Sequence, residues 1–111
     1  MKAELSGKEA FAQKALAESW GDQPYGAVLV MNGTIVGDGA SRVVQRNNAD
    51  AHAEVEAIGD ARRRLGRESL SGSVLYSTSR PCPRCERAAL SADVARMIHG
   101  EALVDAAVPR R

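Results

Sequence analysis

Two short segments hold the residue types that can do chemistry. His52-Ala53-Glu54 places an imidazole two residues before a carboxylate, and Pro81-Cys82-Pro83-Arg84-Cys85 places two thiols three positions apart. One imidazole and two thiolates are three ligands suited to Zn2+, and they leave a fourth tetrahedral position open. Catalytic zinc is held that way, whereas structural sites usually close with four protein ligands. Water bound at the open position has its pKa lowered to about 7. Glu54 is offset from His52 so that its carboxylate can lie beside the metal without ligating it, the place of a proton shuttle. Proline at a helix start puts both cysteines in a first turn, where free N–H groups and the helix dipole favour thiolates. On residue types alone, a closed structural zinc site, a buried reduced cysteine pair and a redox Cys-x-x-Cys pair stay open.

The two segments need a scaffold that brings them together. Between Glu54 and Pro81 lie 26 residues, room for the rest of one helix, a turn and one strand. Such a β-α unit returns both helix starts to the same sheet edge, where ligands gather. The flanking patterns agree. Ser6-Gly7-Lys8-Glu9 reads as a capping box opening a first helix. Ala12, Leu16 and Trp20 recur every four residues, beside Phe11 and Ala15, which predicts an apolar stripe with Trp20 in the core. Gly21 stops that helix. Tyr25 to Met31 reads as a strand, Asn32-Gly33 as a hairpin turn, and Thr34 to Val36 as the partner strand. Gly37 and Gly39 should end or bulge it, with Val43 and Val44 as an extension before a polar loop. A second helix is expected from about His52 to Leu65, with Val55, Ile58, Arg62 and Leu65 inward, Ala57 and Ala61 adjoining, and Gly66 at its end. Ser73 to Ser77 reads as a buried strand, Pro81 to about Ser91 as a third helix, and Val94 to His99 as another strand. The tail from Glu101 is ambiguous. The order α-β-β-α-β-α-β predicts an α/β fold, a mixed sheet covered by helices.

Length and composition bound the rest. A chain of 111 residues and 11.8 kDa is expected to be one domain. With 44% hydrophobic and 26% charged residues it is not a disordered chain. No apolar run nears the roughly 20 residues of a membrane helix, and MKAELSGKEA has no apolar signal core, so a cytoplasmic protein is expected. Two cysteines do not make a disulfide scaffold. A net charge of +1 gives no strong overall field for nucleic acid or membrane. The charge is nonetheless divided. Residues 1–60 carry five Lys/Arg against nine Asp/Glu, and residues 61–111 carry ten against five.

The ordered pair H-x-E…P-C-x-x-C resembles the zinc deaminase signature. Over most of its length the sequence resembles the cytidine deaminase-like superfamily, in its nucleobase and nucleoside deaminase branch. GDQPYGAVLV (21–30) is similar to that family's first strand, AHAEVEAI (51–58) to its metal helix, and Pro81 to Cys85 to its cysteine motif. The resemblance implies a three-layer α-β-α fold with a mixed sheet of four or five strands. It implies one Zn2+ per chain on His52, Cys82 and Cys85, with Glu54 as general acid/base. It implies hydrolytic loss of ammonia from an aminated ring, by hydroxide attack at the carbon bearing the amine. Substrate contacts fall to Ser41, Ala53, Arg80, Pro81 and Tyr25, with the Ala53 and Cys82 amides as orienting donors.

Several positions depart from the family pattern. Arg80 stands where many members have Glu, Arg84 where many have Met, Ser41 where Asn often binds the base, and Asn48-Ala49-Asp50 where Asp-Pro-Thr is common. These bear on substrate identity more than on reaction type. The GDQPYGAVLV segment is most like the guanine deaminase-like branch, which favours a small aminated heterocycle such as a purine base. The alternatives are a base within tRNA or single-stranded DNA, mildly supported by the basic second half, and a non-catalytic zinc-stabilised binding domain. The resemblance also implies a homodimer and a C-terminus shorter than usual, lacking a pocket-closing helix. Asn47 and His99 are weaker candidates, with turn and strand-end roles as their plain readings.

Overall fold

The computed structural model describes residues 3–107. Its elements are α1 (Ala3–Ser19), β1 (Gly26–Met31), β2 (Thr34–Ala40), α2 (Ala53–Leu65), β3 (Val74–Ser77), α3 (Pro83–Ser91), β4 (Arg96–His99) and β5 (Val104–Ala107). The strands form one sheet in the order β2-β1-β3-β4-β5. β1 is antiparallel to both β2 and β3, so those two run parallel; β4 is parallel to β3, and β5 is antiparallel to β4. Alternation along β1 divides the core. Ala27 and Leu29 pack with Ala57, Ile58, Ala89 and Met97 on the α2/α3 face, while Val28 and Val30 pack with Ala10 and Tyr76 on the α1 face. This is the three-layer α-β-α arrangement with a mixed sheet. The ambiguous tail supplies the fifth strand; residues 108–111 lie outside the described residues.

The turn signals form as read. Asn32 and Gly33 have φ of 51° and 74°, the positive pair a two-residue type I′ hairpin requires. Gly21, at φ 73°, closes α1 in a Schellman motif, with Asp22 N–H donating to Ala17 O and Gly21 N–H to Glu18 O.

The helix faces differ from the periodicity reading, for one physical reason. A Cβ on Gly26 would lie 2.2 Å from Ala10 O and 2.3 Å from Lys14 N. Helix α1 therefore rests on strand backbone, where only small side chains fit. It buries Ser6, Ala10 and Ala17. Leu16 and Trp20 turn outward, 39% and 36% exposed, and the Trp20 ring carries the Arg42 guanidinium at 4.3 Å. Ser6 is not a cap. It sits inside the helix, buried, and its hydroxyl has no hydrogen-bond partner.

Helix α2 repeats the pattern. Gly37 and Gly39 neither end β2 nor form the bulge; the strand runs on to Ala40. Their missing side chains let α2 settle on the strand, since a Cβ on Gly37 would lie 2.4 Å from Ala57 O and one on Gly39 2.3 Å from Ala53 O. The buried stripe is accordingly Ala53, Ala57, Ile58 and Ala61, and Leu65 is exposed. The bulge falls at Val36, the extra residue where pairing steps from Leu29↔Gly37 to Val30↔Ile35. Val43 and Val44 lie in a turn, not in an extension of β2.

Gly39→Ala should therefore lower unfolding stability by about 1–3 kcal/mol through overpacking. Gly59→Ala, in the same helix with only the flexible Arg63 guanidinium near at 3.4 Å, should raise it by about 0.5–1 kcal/mol. Urea denaturation of the two variants beside the unsubstituted chain reads both signs.

Candidate active site

Because β2 and β3 are parallel, the helices that follow them begin at the same sheet edge. The chain leaves β2 through residues 41–52 and enters α2; it leaves β3 through residues 78–82 and enters α3. His52 is the residue before α2, in extended conformation at φ −66° and ψ 153°, and its ring does not cap the helix. Cys82 holds the equivalent place before α3, with Pro83 following, and its Sγ accepts a hydrogen bond from the Cys85 amide at 3.5 Å. Residues 30 and 33 positions apart in the sequence thus become contacts. His52 Nδ1 lies 3.6 Å from Cys82 Sγ and 3.3 Å from Cys85 Sγ, and the sulfurs are 3.4 Å apart.

Those separations suit one ion. Tetrahedral zinc with ordinary Zn–S and Zn–N bonds sets its ligand atoms about 3.6–3.8 Å apart. All three atoms lie within 4.8 Å of one another, and no carboxylate or second imidazole joins the group among the described residues. As thiolates the sulfurs need a cation. Cys85 is fully buried, and burial pushes its thiol well above the ordinary range, with the nearby Glu54 charge and Cys82 adding to the rise. A bound divalent ion overrides that balance and holds the ligating thiol as thiolate.

Glu54 is the second residue of α2, 5% exposed, and near enough for its charge to act on Cys85. Burial pushes its carboxyl up to about 7, opposed only by its own backbone amide. Ala53, fully buried, opens the helix, where amides have no intrahelical acceptor.

The other candidates divide. Tyr25 is exposed just before β1, and its carbonyl accepts from the Ser41 amide at 3.1 Å. Pro81 is half-buried and Arg80 exposed in the segment leading to Cys82. Ser41 is fully buried, and its hydroxyl donates to Asp22 Oδ1 at 2.9 Å, so that donor is engaged within the protein. Arg84 lies outside the cluster and ties the two site segments together, pairing with Asp50 at 2.7 Å and donating to Ala49 O at 3.2 Å. Asn47 takes a left-handed turn conformation at φ 48°. His99 ends β4 opposite Ser77, apart from the ligand group. Sequence reasoning passed over Asp22. An acidic residue just past a helix-stopping glycine signals a turn, and its partners here are mostly backbone amides, which leave no mark in a sequence.

Residues 3–101 match the cytidine and deoxycytidylate deaminase zinc-binding region, and the chain belongs to that family. A tRNA-specific adenosine deaminase of Bacillus subtilis is 38% identical over 97 residues, 87% of this chain and 60% of that protein. A guanine deaminase of the same organism is 44% identical over 62 residues, 56% of this chain and 40% of that protein. The solved structure of guanine deaminase from Bacillus subtilis matches with a TM-score of 0.85 at 34% identity, covering 90% of this chain and 64% of the other. A structure from work on A-to-I editing by tRNA:A34 deaminases gives 0.81 at 34% identity, covering 84% and 67%. The chain spans about 60% of the length of the first of these relatives.

The purified chain should contain one zinc per molecule by atomic emission. Cys85→Ser should reduce that content at least tenfold and lower the melting temperature, since metal binding contributes folding free energy. A chelator should lower the melting temperature of the unsubstituted chain in the same direction.

Proposed function

We propose that this chain is a zinc-dependent hydrolytic deaminase acting on a small aminated heterocycle, a purine base such as guanine being favoured. One observation carries the reading. A buried carboxylate, Glu54, acts electrostatically on Cys85, within a trio of ligand atoms close enough to hold one ion and, among the described residues, joined by no fourth ligand. A purely structural site has no use for that carboxylate.

When bound, zinc supplies hydroxide at neutral pH by lowering the pKa of a coordinated water. His52, Cys82 and Cys85 would hold the ion. Glu54 would take a proton from the attacking water and pass it to the ring nitrogen, then take the second proton from the new hydroxyl on the carbon and deliver it to the departing amine. A C–O bond forms, the C–N bond breaks, and ammonia leaves. The Ala53 and Cys82 amides, at the starts of α2 and α3, orient the ring as backbone donors, with Tyr25, Arg80 and Pro81 at the entrance. Leu5, Ala12 and Leu16, an outward apolar row on α1, support a homodimer as the working form.

A second reading is deamination of a base within tRNA. It is favoured by the identity to tRNA-specific adenosine deaminases and by Arg80, exposed two residues before Cys82, where it could meet a phosphate.

Glu54→Gln should keep its zinc and lose ammonia release by about 10^2–10^4-fold. An ammonia-release screen of zinc-loaded protein over free bases, nucleosides and tRNA separates the readings. Turnover of a free base that is insensitive to salt supports the first. Activity confined to tRNA and falling steeply with salt supports the second. Zinc-loaded protein that releases no ammonia from any of them would mean a non-catalytic zinc domain.

A further inference from the structure

Asp22 is a buried carboxylate, 8% exposed, that no step of the proposed reaction uses. The Schellman end of α1 fixes its backbone. Its side chain then gathers four donors. Oδ1 accepts from the Gln23 amide at 2.8 Å, the Ser41 hydroxyl at 2.9 Å and the Val44 amide at 3.3 Å, and Oδ2 accepts from the Gln45 amide at 2.8 Å. Burial alone would raise this carboxyl, but the Gln45 and Gln23 amides, the Ser41 hydroxyl and the Val44 amide together hold it below the ordinary carboxylate range. Three of the four donors belong to the segment between β2 and α2. A group at the end of α1 thus grips a loop that begins 19 residues later.

That loop ends at a metal ligand, and the path is short. The residue after Ser41, Arg42, donates its amide to Ala51 O at 2.9 Å, and Ala51 donates its own to Asn48 O at 3.1 Å. Ala51 is buried and immediately precedes His52. Inside the loop, Arg46 N–H bonds Arg42 O and Asn48 N–H bonds Val43 O. From outside, Glu56 pairs with Arg42 and Arg46, and Arg84 with Asp50. Those outer pairs lie nearer the surface, with Arg46, Arg84 and Asp50 half or more exposed, and are screened by solvent. Asp22 is the interior anchor, holding the segment by charge-assisted bonds away from water.

We propose that Asp22 is a positioning residue for the metal centre: through Ser41 and Arg42 it sets where the 41–51 segment delivers His52. It touches neither metal nor substrate and acts through the loop. It stands behind His52 as outer-shell partners stand behind metal ligands elsewhere, whose removal typically weakens metal binding about 10–100-fold. The proposal rests on the zinc assignment given above and is tested through the metal rather than through turnover.

The test compares Asp22→Asn, Ser41→Ala and, as a control, Leu70→Ala. Leu70 is fully buried and precedes β3, at the sheet edge opposite the ligands, so its truncation destabilises without touching the loop. Zinc affinity is measured by competition with a chromophoric chelator, below the melting temperature of every variant. The visible spectrum of the cobalt-loaded protein and amide exchange at Val44 and Gln45 are recorded alongside. Asp22→Asn should weaken zinc about 10–100-fold, shift the cobalt bands and expose both amides to exchange; Ser41→Ala should do the same to a smaller degree. Leu70→Ala should lower the melting temperature with zinc affinity and cobalt bands unchanged. If Asp22→Asn behaves like Leu70→Ala, Asp22 only anchors the end of α1 and the proposal fails. Zinc binding without ammonia release would overturn the deaminase reading and leave this one standing. An unsubstituted chain that binds no zinc would overturn both.

Discussion

The His52 imidazole nitrogen and two cysteine sulfurs must come within bonding reach of one ion, and the parallel run of β2 and β3 is what makes this possible. Parallel strands need long crossovers, and each crossover here begins with a helix start at the same sheet edge. Had either strand run the other way, one helix start would lie at the far edge of the sheet. The antiparallel β1 between them lets both neighbours point the same way without a direct pairing. The remaining elements serve that geometry. β4 and β5 extend the sheet beyond β3, α1 closes the opposite face, and α2 and α3 bring ligands to within 3.3–3.6 Å of each other.

Small residues decide how close the layers come. Gly26 admits α1, and Gly37 and Gly39 admit α2, so each helix meets strand backbone through alanine or serine. Larger apolar groups such as Leu16, Trp20 and Leu65 are displaced to the surface. The burial gained per helix is modest, but dispersion contacts at backbone distance are dense, and the positions of the helix starts are tightly set.

Much of this was legible in the residues. His-x-Glu and Cys-x-x-Cys carry their chemistry in residue type and spacing, so the group of His52, Cys82 and Cys85 is legible in the sequence itself. The hairpin at Asn32-Gly33 and the stops at Gly21 and Gly66 follow from backbone sterics local to each residue, and they form as read. The helix faces were not legible. A 3.6-residue period shows which residues share a side, but which side turns inward depends on a glycine in another element. The apolar row through Ala12, Leu16 and Trp20 therefore pointed the wrong way. The Ser6 box failed similarly, because helix extends before it and its hydroxyl is enclosed. Ser41 looked like a free hydroxyl near the site; its engagement by Asp22 depends on a contact 19 residues away. That the tail forms β5 was equally hidden, since its short run gains strand geometry only by pairing with β4.

The bare stretch of β2 beneath α2 has a further effect. Where a helix sits on interlocking side chains, each rotamer hop or conservative replacement nudges the axis by some fraction of an ångström. Here the Ala53 and Ala57 carbonyls press against glycine, so helix and strand meet backbone to backbone. The seat works as a fixed datum. Core substitutions elsewhere can accumulate without disturbing the height at which the imidazole stands above the sheet, so the centre is insulated from drift in the packing around it.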